Sequence, residues 1–578
     1  MTLELDYRRV EATAGVAAPS DLTVERGEIA VMIAKRGDMT PVMDLTLGLG
    51  TGPVRGRRPV YVDLLPPCNH ACPAGENIQA WLALAQAGKY RQAWEALVQD
   101  NPLPGVHGRV CYHPCEDGCN RKDLDEAVSI HAVERFLGDL AIAEGWSYPR
   151  GAAPSGKRIL VVGAGPSGLS AAYHLTRLGH AVEIHEAGPV PGGMLHFGIP
   201  AYRLPRADLM REIQNIEAMG VRIVLDHKVD DVLAKQQSGA FDAVFIAIGA
   251  HIGKHADIPA RDAARVLDAV TLLRDTGAGG APLLGRRVIV YGGGNTAMDA
   301  ARTARRLGAD EALIVYRRDR AHMPAHGFEA DEALAEGIKI KWLTTIKEVV
   351  GPDLTVEQME LDANGRPQPT GRFETLHADA IVLALGQETE SGFLRNVPGL
   401  EFGPDGTVKV GANMMTGHPG IFAGGDMVPS ERTVTVAVGH GKRAARHIDA
   451  WLRGAQYAAP AKPEIVSFGM LTLPVYSDAA PTRQQELPVA DRASGFEEVV
   501  SGLTKMQAQR EAQRCLSCGN CFECDNCYAA CPEDAIIKLG PGQRYLYDYA
   551  KCTGCAVCFE QCPCHAIEMV PEPASATV

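Results

Sequence analysis

The most informative absence in this chain is a gap in the cysteine pattern, because no cysteine lies between Cys119 and Cys515. All 16 cysteines fall in two segments, from Cys68 to Cys119 and from Cys515 to Cys564. Disulfide frameworks are typical of small secreted domains, whereas two dense groups in a large chain favour metal or iron-sulfur ligation. The gap also excludes, from the middle of the chain, the redox-active cysteine pair that disulfide reductases require.

Two further features are missing. No apolar run reaches the length of about 18 residues that a membrane-spanning helix needs. Basic residues do not outnumber acidic ones, since 57 Lys and Arg face 70 Asp and Glu, and the net charge of -13 argues against nucleic acid and membrane surfaces as partners. The first residues, MTLELDYRRVEATAG, lack the basic and then apolar pattern of a signal peptide. We therefore expect a cytoplasmic protein with no nucleic-acid partner and no membrane association.

The segment from Lys157 to Glu186 has the pattern of a dinucleotide-binding unit. The apolar run Ile159–Val162 predicts a short buried strand, and a glycine turn then opens a helix. The turn and the start of the helix contain Gly163, Gly165, Pro166, Ser167 and Gly168. Glycines at this G-x-G-x-x-G spacing let backbone amides approach a pyrophosphate. Glu186 follows the second predicted strand, Ala181–His185, where an acid accepts hydrogen bonds from ribose hydroxyls. The alternative is a strand-to-helix turn without a ligand.

A second unit with the same pattern runs from Arg287 to Arg318. Val288–Tyr291 predicts its strand and Asn295–Leu307 its helix. The turn and the start of the helix contain Gly292, Gly293, Gly294, Asn295 and Thr296. Where a unit that binds a 2′-hydroxyl would carry an acid, this one has Arg317 and Arg318, which suit a 2′-phosphate. We therefore predict NADPH rather than NADH, with a solvated surface pair of arginines as the alternative.

The C-terminal cysteines form two near repeats, each of which ends in Cys-Pro. This is the pattern of bacterial ferredoxins with two [4Fe-4S] clusters, in which the fourth cysteine of each repeat ligates the other cluster. The ligands predicted for one cluster are Cys521, Cys524, Cys527 and Cys562. Those predicted for the other are Cys531, Cys552, Cys555 and Cys558. Cys515, Cys518 and Cys564 are then surplus, either as free thiols or as part of an alternative register.

The N-terminal segment NPLPGVHGRVCYHPCEDGCNR resembles the cysteine-rich helical domain of the glutamate synthase small subunit and of dihydropyrimidine dehydrogenase. That domain usually holds two [4Fe-4S] clusters, but the C-x-x-C expected upstream of Cys68 is missing here. The resemblance therefore implies one N-terminal cluster. Its implied ligands are Cys72, Cys115, Cys119 and Glu134. Cys68 and Cys111 would be left over, and a zinc site is the alternative for this group.

The same resemblance extends through the nucleotide-binding units. The stretch PGGMLHFGIPAYRLP, which contains Gly193 and Met194, matches the loop that wraps the flavin, so the first unit is expected to hold FAD. Phe241–Gly249 and Ala380–Gly386 match the strands that connect the two nucleotide domains. In GIFAGGD, Gly425 and Asp426 match the turn that contacts the flavin.

The fold class implied for 578 residues is α/β with several domains. We expect a helical iron-sulfur domain, two interleaved Rossmann-like domains for FAD and NADPH, and an α+β ferredoxin-type domain. The predicted boundaries are 1–60 for an N-terminal extension, 61–150 for the helical domain, 151–255 with 385–460 for FAD, 256–384 for NADPH, 461–514 for a linker and 515–578 for the ferredoxin domain.

The resemblance implies an NAD(P)H-dependent FAD and iron-sulfur oxidoreductase. A flavin converts a two-electron donor into single electrons without a general acid or base, so no catalytic side chain is predicted. The expected partner is ferredoxin or a larger redox catalytic subunit, such as a 2-oxoacid:ferredoxin-type enzyme, in a hetero-oligomer. Two alternatives stay open: the small subunit of an NADPH-dependent glutamate synthase, and a structural subunit of a larger redox complex.

Overall fold

The computed structural model describes residues 55–253, 260–261 and 265–573. Residues 1–54, most of the predicted N-terminal extension, lie outside the described residues. The described chain forms two compact units. The larger unit contains Leu64–Gly469 and Tyr476–Cys518, and the smaller one contains residues 55–63, Met470–Val475 and residues 519–573. None of the helices in these ranges is long and apolar enough to cross a membrane.

The α-helices, in chain order, are α1 Pro67–Ala71, α2 Ile78–Gln86, α3 Tyr90–Leu97, α4 Pro104–Val110, α5 Pro114–Asp117, α6 Ile130–Ala143, α7 Pro166–Arg177, α8 Met194–Phe197, α9 Arg206–Glu217, α10 Val232–Ser238, α11 Ala269–Gly277, α12 Asn295–Arg306, α13 Gly327–Ala335, α14 Val434–Leu452, α15 Val489–Arg492, α16 Lys505–Ala512, α17 Asn526–Ala530 and α18 Val557–Glu560.

The strands, in chain order, are β1 Arg57–Tyr61, β2 Arg158–Val162, β3 Ala181–His185, β4 Arg222–Val224, β5 Ala243–Ile246, β6 Ile252–Gly253, β7 Ala260–Arg261, β8 Arg265–Asp268, β9 Arg287–Tyr291, β10 Glu311–Val315, β11 Lys339–Lys341, β12 Thr344–Val350, β13 Asp353–Leu361, β14 Pro367–His377, β15 Ala380–Leu383, β16 Gln387–Glu388, β17 Ile421–Ala423, β18 Ile536–Lys538, β19 Tyr545–Tyr547 and β20 Ile567–Pro571.

Two five-stranded parallel sheets form the centre of the larger unit, as expected for nucleotide-binding domains. One has the order β17-β5-β2-β3-β4 and the other β11-β10-β9-β15-β8. The apolar strands β2 and β9 each lie in the interior of their sheet, which explains why their sequences are nearly continuous hydrophobic runs. A smaller sheet, β14-β13-β12-β7, is inserted beside the second one. The predicted α/β class with parallel sheets is confirmed.

The helical domain packs α4 directly against α6. A Cβ atom built on Gly138 of α6 would lie 2.3 Å from the backbone nitrogen of Gly105, and one on Gly108 of α4 would lie 2.4 Å from that of Arg135. Only glycine therefore allows these two helices to approach so closely. The stretch 78–98 is divided between α2 and α3 because Gly88 takes a left-handed backbone conformation with φ of +72°.

The predicted boundaries differ from the structure at both ends. Residues 57–61 form β1, which pairs antiparallel with β20 in the smaller unit. The prediction had divided these residues between an extension and the start of the helical domain. The predicted linker 461–514 contains α16, which packs against α2 and α6. Cys515 and Cys518 were assigned to the ferredoxin domain, but they belong to the larger unit. In each case the long-range contact that decides the placement has no local sequence signal.

We predict that Gly138→Ala destabilises the helical domain. The added methyl group has to displace the backbone of α4, and overpacking of this kind costs about 1–3 kcal/mol. The thermal unfolding midpoint of the purified protein should fall. The matched control is Gly327→Ala at the start of α13, where a Cβ meets nothing within 4 Å. Equal midpoints for the two variants would contradict the close helix contact.

Candidate active site and iron-sulfur sites

The first nucleotide turn lies between β2 and α7, and its glycines are required by close contacts. Gly163 has φ of +104°, and a Cβ on it would lie 2.5 Å from the carbonyl oxygen of Ala247. A Cβ on Gly168 would lie 2.0 Å from the carbonyl oxygen of Gly163, which fixes how closely α7 approaches the strand. At Gly165, by contrast, a Cβ would point into open space. This open space at the first residues of α7 fits a bound pyrophosphate.

The residues predicted to hold FAD come together around one cavity. They are Gly163, Gly165, Pro166, Ser167, Glu186, Gly193, Met194, Gly425 and Asp426. Gly168 lies behind this cavity rather than in its wall. The Ser167 hydroxyl is buried without a hydrogen-bond partner, so the cavity offers an unused polar group as well as open glycine backbone. The sequence alone did not identify Ala437 and His251, which also line the cavity.

Glu186 is held in place at the carboxyl end of β3. One of its carboxylate oxygens accepts the backbone N–H of Ala164 at 2.8 Å, and the other accepts that of Gly188 at 2.8 Å. The carboxylate thus lines the cavity with an orientation fixed by two backbone donors, and its remaining lone pairs can accept ribose hydroxyls.

Asp426 lines the cavity, and His440 supports the turn that contains it. Burial raises the pKa of Asp426 to about 6, an effect that Arg432 opposes. His440 accepts the backbone N–H of Gly425 through Nδ1 at 3.2 Å. Burial, with a contribution from Arg443, lowers the pKa of His440 to about 4. The histidine is therefore neutral at physiological pH and fixes the Gly425–Asp426 turn.

The second nucleotide turn connects β9 to α12. A Cβ on Gly292 would lie 2.2 Å from the carbonyl oxygen of Ala384, and one on Gly293 would lie 2.4 Å from the ring of Tyr316. A Cβ on Gly294 would meet open space, as at Gly165. Thr296 follows in the first turn of α12.

Asn295 ties this turn to the helical domain. Its Nδ2 donates to the Tyr112 hydroxyl at 2.7 Å, and its Oδ1 accepts the backbone N–H of His326 at 3.0 Å. Tyr112 stacks on the ring of His326 with centroids 3.7 Å apart. Asn295 is thus engaged by protein groups, and Tyr112 is a neighbour of the nucleotide turn that the sequence did not reveal.

Arg317 and Arg318 follow β10 at the edge where the second nucleotide would bind. Arg317 is exposed and Arg318 is half-buried. Within the part of the chain that the structure describes, neither guanidinium group forms an ion pair, and Nε of Arg318 is buried without a hydrogen-bond partner. The pair is available for an anion such as a 2′-phosphate.

The N-terminal cysteines are partitioned differently from the prediction. Cys115 faces Cys111 and Cys72. Burial is the largest cause of the raised pKa of Cys115, and these two thiols also contribute to it. Cys119 does not join this group. Instead, Cys119 lines another cavity together with Cys68, Cys515 and Cys518. The reason is the short helix α5, since Cys115 lies within it whereas Cys119 follows its end at Gly118.

Glu134 lies beside the group of Cys72, Cys111 and Cys115. It is buried, and its carboxylate Oε1 accepts Nδ2 of Asn101 at 2.7 Å. The same amide donates to Glu76 at 3.1 Å. Burial and the charge of Glu76 raise the pKa of Glu134 well above its usual value.

The cysteines of the two C-terminal repeats lie in two groups in the smaller unit. Cys521, Cys524 and Cys527 each face Cys562, and for all three thiols burial is the largest cause of a raised pKa. The second group lines one cavity and consists of Cys531, Cys552, Cys555 and Cys558. Cys564 is buried next to Cys562, with 3.9 Å between their sulfur atoms.

One helix links the flavin cavity to the first cysteine group. Thr435, in the first turn of α14, donates its hydroxyl to the Cys111 sulfur at 2.9 Å. Ala437, two residues further along the same helix, lines the flavin cavity. Because a helix rises only about 1.5 Å per residue, Cys111 and the cavity are near neighbours.

The structure combines two glycine turns at parallel sheets with an acid and an arginine pair after the second strands, and with grouped cysteines. These features together define a pyridine-nucleotide-dependent flavoprotein with iron-sulfur sites. Residues 157–441 match the family model for pyridine nucleotide-disulphide oxidoreductases. Residues 64–146 match that for dihydropyrimidine dehydrogenase domain II with its 4Fe-4S cluster. Residues 157–441 contain no cysteine, so the disulfide chemistry of the first model's name has no counterpart in the matched region.

The chain is similar to three curated proteins over most of its length. It is 37% identical over 499 residues to the NADP(+)-dependent formate dehydrogenase subunit beta of Moorella thermoacetica, covering 78% of this chain and 70% of that protein. It is 33% identical over 504 residues to the NADPH-Fe(3+) oxidoreductase subunit beta of Geobacter sulfurreducens, with coverages of 78% and 75%. It is 33% identical over 421 residues to the glutamate synthase [NADPH] small chain of Escherichia coli, with coverages of 67% and 89%.

The chain belongs to the family that these subunits define, as the N-terminal resemblance predicted. It is an NADPH-dependent oxidoreductase, and the predicted FAD, NADP and [4Fe-4S] cofactors are those that the two family models support.

We predict that changing Arg317 and Arg318 to Ala abolishes the preference for NADPH. Each arginine should lose a charge-assisted hydrogen bond to the 2′-phosphate, a contribution of about 1.5–3 kcal/mol. The ratio of kcat/KM for NADPH over that for NADH should therefore fall about a hundredfold or more, because kcat/KM for NADPH falls while that for NADH is unchanged. Arg320→Ala is the matched control, because this exposed arginine pairs with Asp331. An unchanged ratio in the double variant would show that the pair does not bind the nucleotide.

Proposed function

We propose that this chain is an NADPH-linked electron-transfer subunit that moves electrons between NADPH, FAD and [4Fe-4S] clusters, to or from ferredoxin or a larger redox catalytic subunit. The observation that carries this proposal is the position of Cys111 beside the flavin cavity, held by Thr435 on α14. When bound, FAD would accept a pair of electrons and release them singly. The side chains around the cavity bind and orient the cofactor, and none is assigned as a general acid or base.

The proposed FAD domain combines residues 151–255 and 385–460, with the NADPH domain, residues 256–384, inserted between them. This division is supported by the first sheet, in which β17 pairs with β5 although an entire second sheet separates them in sequence. The proposed FAD-binding residues are those around the Gly163 turn, Glu186 and the Gly425–Asp426 turn. The proposed NADPH-binding residues are the Gly292 turn with Arg317 and Arg318.

For the clusters, the proposed ligands of the N-terminal site nearest the flavin are Cys72, Cys111, Cys115 and Glu134. Cys111 thus replaces Cys119 in the set expected from the sequence. The two ferredoxin-type sites keep the ligands that the repeats predict. The buried thiols would be protonated without metal, so cluster binding would release protons.

The physiological partner is proposed to be a catalytic subunit in a hetero-oligomer. The relatives include beta subunits of a formate dehydrogenase and of an Fe(3+) oxidoreductase, and the match to these two covers more of this chain than the match to the glutamate synthase small chain. A 2-oxoacid:ferredoxin-type enzyme is a further candidate. Reduction of a viologen dye by the isolated chain with NADPH would contradict the alternative of a purely structural subunit.

We predict that Cys555→Ser in the full chain blocks electron exchange with ferredoxin. This thiol is exposed and belongs to the second ferredoxin-type group. Bleaching of the flavin by NADPH should persist, because both nucleotide turns lie in the other unit. The rate of ferredoxin reduction, followed by its visible absorbance, should fall at least tenfold.

The control is Cys564→Ala, which removes a cysteine that stands outside the predicted groups. It should leave the rate of ferredoxin reduction unchanged. If Cys555→Ser reduced ferredoxin at the full rate, the exchange point would be elsewhere in the chain, and the ferredoxin unit would not be the electron exit.

A further inference from the structure

We propose that Cys68, Cys119, Cys515 and Cys518 bind a further [4Fe-4S] cluster, so that the chain carries four clusters, one of which joins the two cysteine-rich ends of the sequence. Nothing in the repeat pattern or in the matched families assigns Cys515 and Cys518 to this site. The four residues come from α1, from the end of α5 and from the segment after α16, all within the larger unit.

The four thiols surround one cavity. A second cavity is lined in the same way by four cysteines, Cys531, Cys552, Cys555 and Cys558. The second cavity is an internal standard, because its cysteines follow the spacing of a bacterial ferredoxin. The remaining walls of the first cavity include apolar side chains, among them Leu82, Val128 and Ile130. A pocket of this kind shields a cluster from water.

The spacing of the sulfur atoms favours a cluster over zinc. A tetrahedral zinc site with Zn–S bonds of about 2.3 Å would hold its sulfur atoms about 3.8 Å apart. Some groups of three or more potential metal ligands among the described residues have their ligand atoms within 4.8 Å of one another. None of these groups contains a cysteine. The cysteine quartet is therefore wider than a zinc site, as a cube of iron and sulfide requires.

Buried charges hold the C-terminal pair of ligands against the N-terminal domain. Arg514, next to Cys515, is almost completely buried and donates to Glu511 at 2.6 Å and to the carbonyl oxygens of Ala127 and Glu126. Glu511 in turn accepts the backbone N–H of Ser129 at 2.8 Å. A fully buried ion pair of this kind is costly unless its hydrogen bonds are satisfied, as they are here, and it specifies one docking geometry.

Further hydrogen bonds fix the ligand segments themselves. Arg121, two residues after Cys119, donates to the carbonyl oxygen of Arg514 at 3.0 Å. Asn120 donates its Nδ2 to the Cys518 sulfur at 3.5 Å, and the backbone N–H of Ser517 points at the Cys515 sulfur at 3.4 Å. Donors aimed at sulfur stabilise the thiolate form that ligates iron.

All but one of the cysteines then belong to a proposed cluster site. Of the 16 cysteines, three belong to the group near the flavin, four to this site and eight to the two ferredoxin-type sites, which leaves Cys564 alone. Cys515-x-x-Cys518 supplies the two ligands that are missing upstream of Cys68. On ligation each of the four thiols loses its proton to solvent, and no oxidant or reductant is needed for this step.

The test counts iron and acid-labile sulfide per FAD in the full chain. Four clusters of four irons predict about sixteen irons in the wild-type protein and about twelve in the Cys515→Ser, Cys518→Ser double variant. The variant should keep its FAD, because the flavin cavity and the cavity of these cysteines share no lining residue. Cys564→Ala is the matched control and should retain about sixteen irons.

Three results would overturn the proposal: twelve irons or fewer in the wild-type protein, stoichiometric zinc in the wild-type protein, or sixteen irons in a double variant that retains FAD. The two wild-type measurements decide the question even if the double variant does not fold. Mössbauer spectra of ⁵⁷Fe-labelled protein give a readout independent of activity, since the double variant should lose about a quarter of the [4Fe-4S] signal.

Discussion

The arrangement of the larger unit depends on α14, a helix that has to contact two neighbours at backbone distance. A Cβ on Gly441 would lie 2.4 Å from the carbonyl oxygen of Ser167 in α7, and one on Gly439 would lie 2.2 Å from that of Pro73. Glycine at these two positions therefore lets one helix touch both the flavin-binding helix and the loop that carries Cys72. Any larger side chain would move the iron-sulfur domain away from the flavin.

A buried lysine reinforces this contact. Lys442 donates its Nζ to the carbonyl oxygens of Ala74 and Gly75 and pairs with Asp100 at 2.6 Å. Burial lowers the pKa of Lys442, and Asp100 opposes this effect. The charge is costly to bury without these partners, so the loop after Cys72 is held in one position. Thr435 and Ala437 on the same helix then place Cys111 next to the flavin cavity.

Local features of this protein could be predicted from the sequence, and long-range ones could not. β3 has the predicted bounds, and both glycine turns lie where expected, because hydrophobic runs and glycine spacing determine a strand-turn-helix unit locally. The sequence grouped Cys119 with Cys72 and Cys115, whereas the structure places it with Cys68, Cys515 and Cys518, because spacing along the chain does not reveal where the chain turns after α5. The role of Cys515-x-x-Cys518 depends on the docking of α16 and Arg514, a contact between distant segments.

The central claim is that α14 holds an iron-sulfur site beside the flavin cavity. Anomalous X-ray scattering at the iron absorption edge, from crystals of the full chain, tests this most directly. The predicted result is iron density bonded to the Cys111 sulfur, next to the first turn of α14. Iron at the ferredoxin-type sites with none at Cys111 would contradict the account.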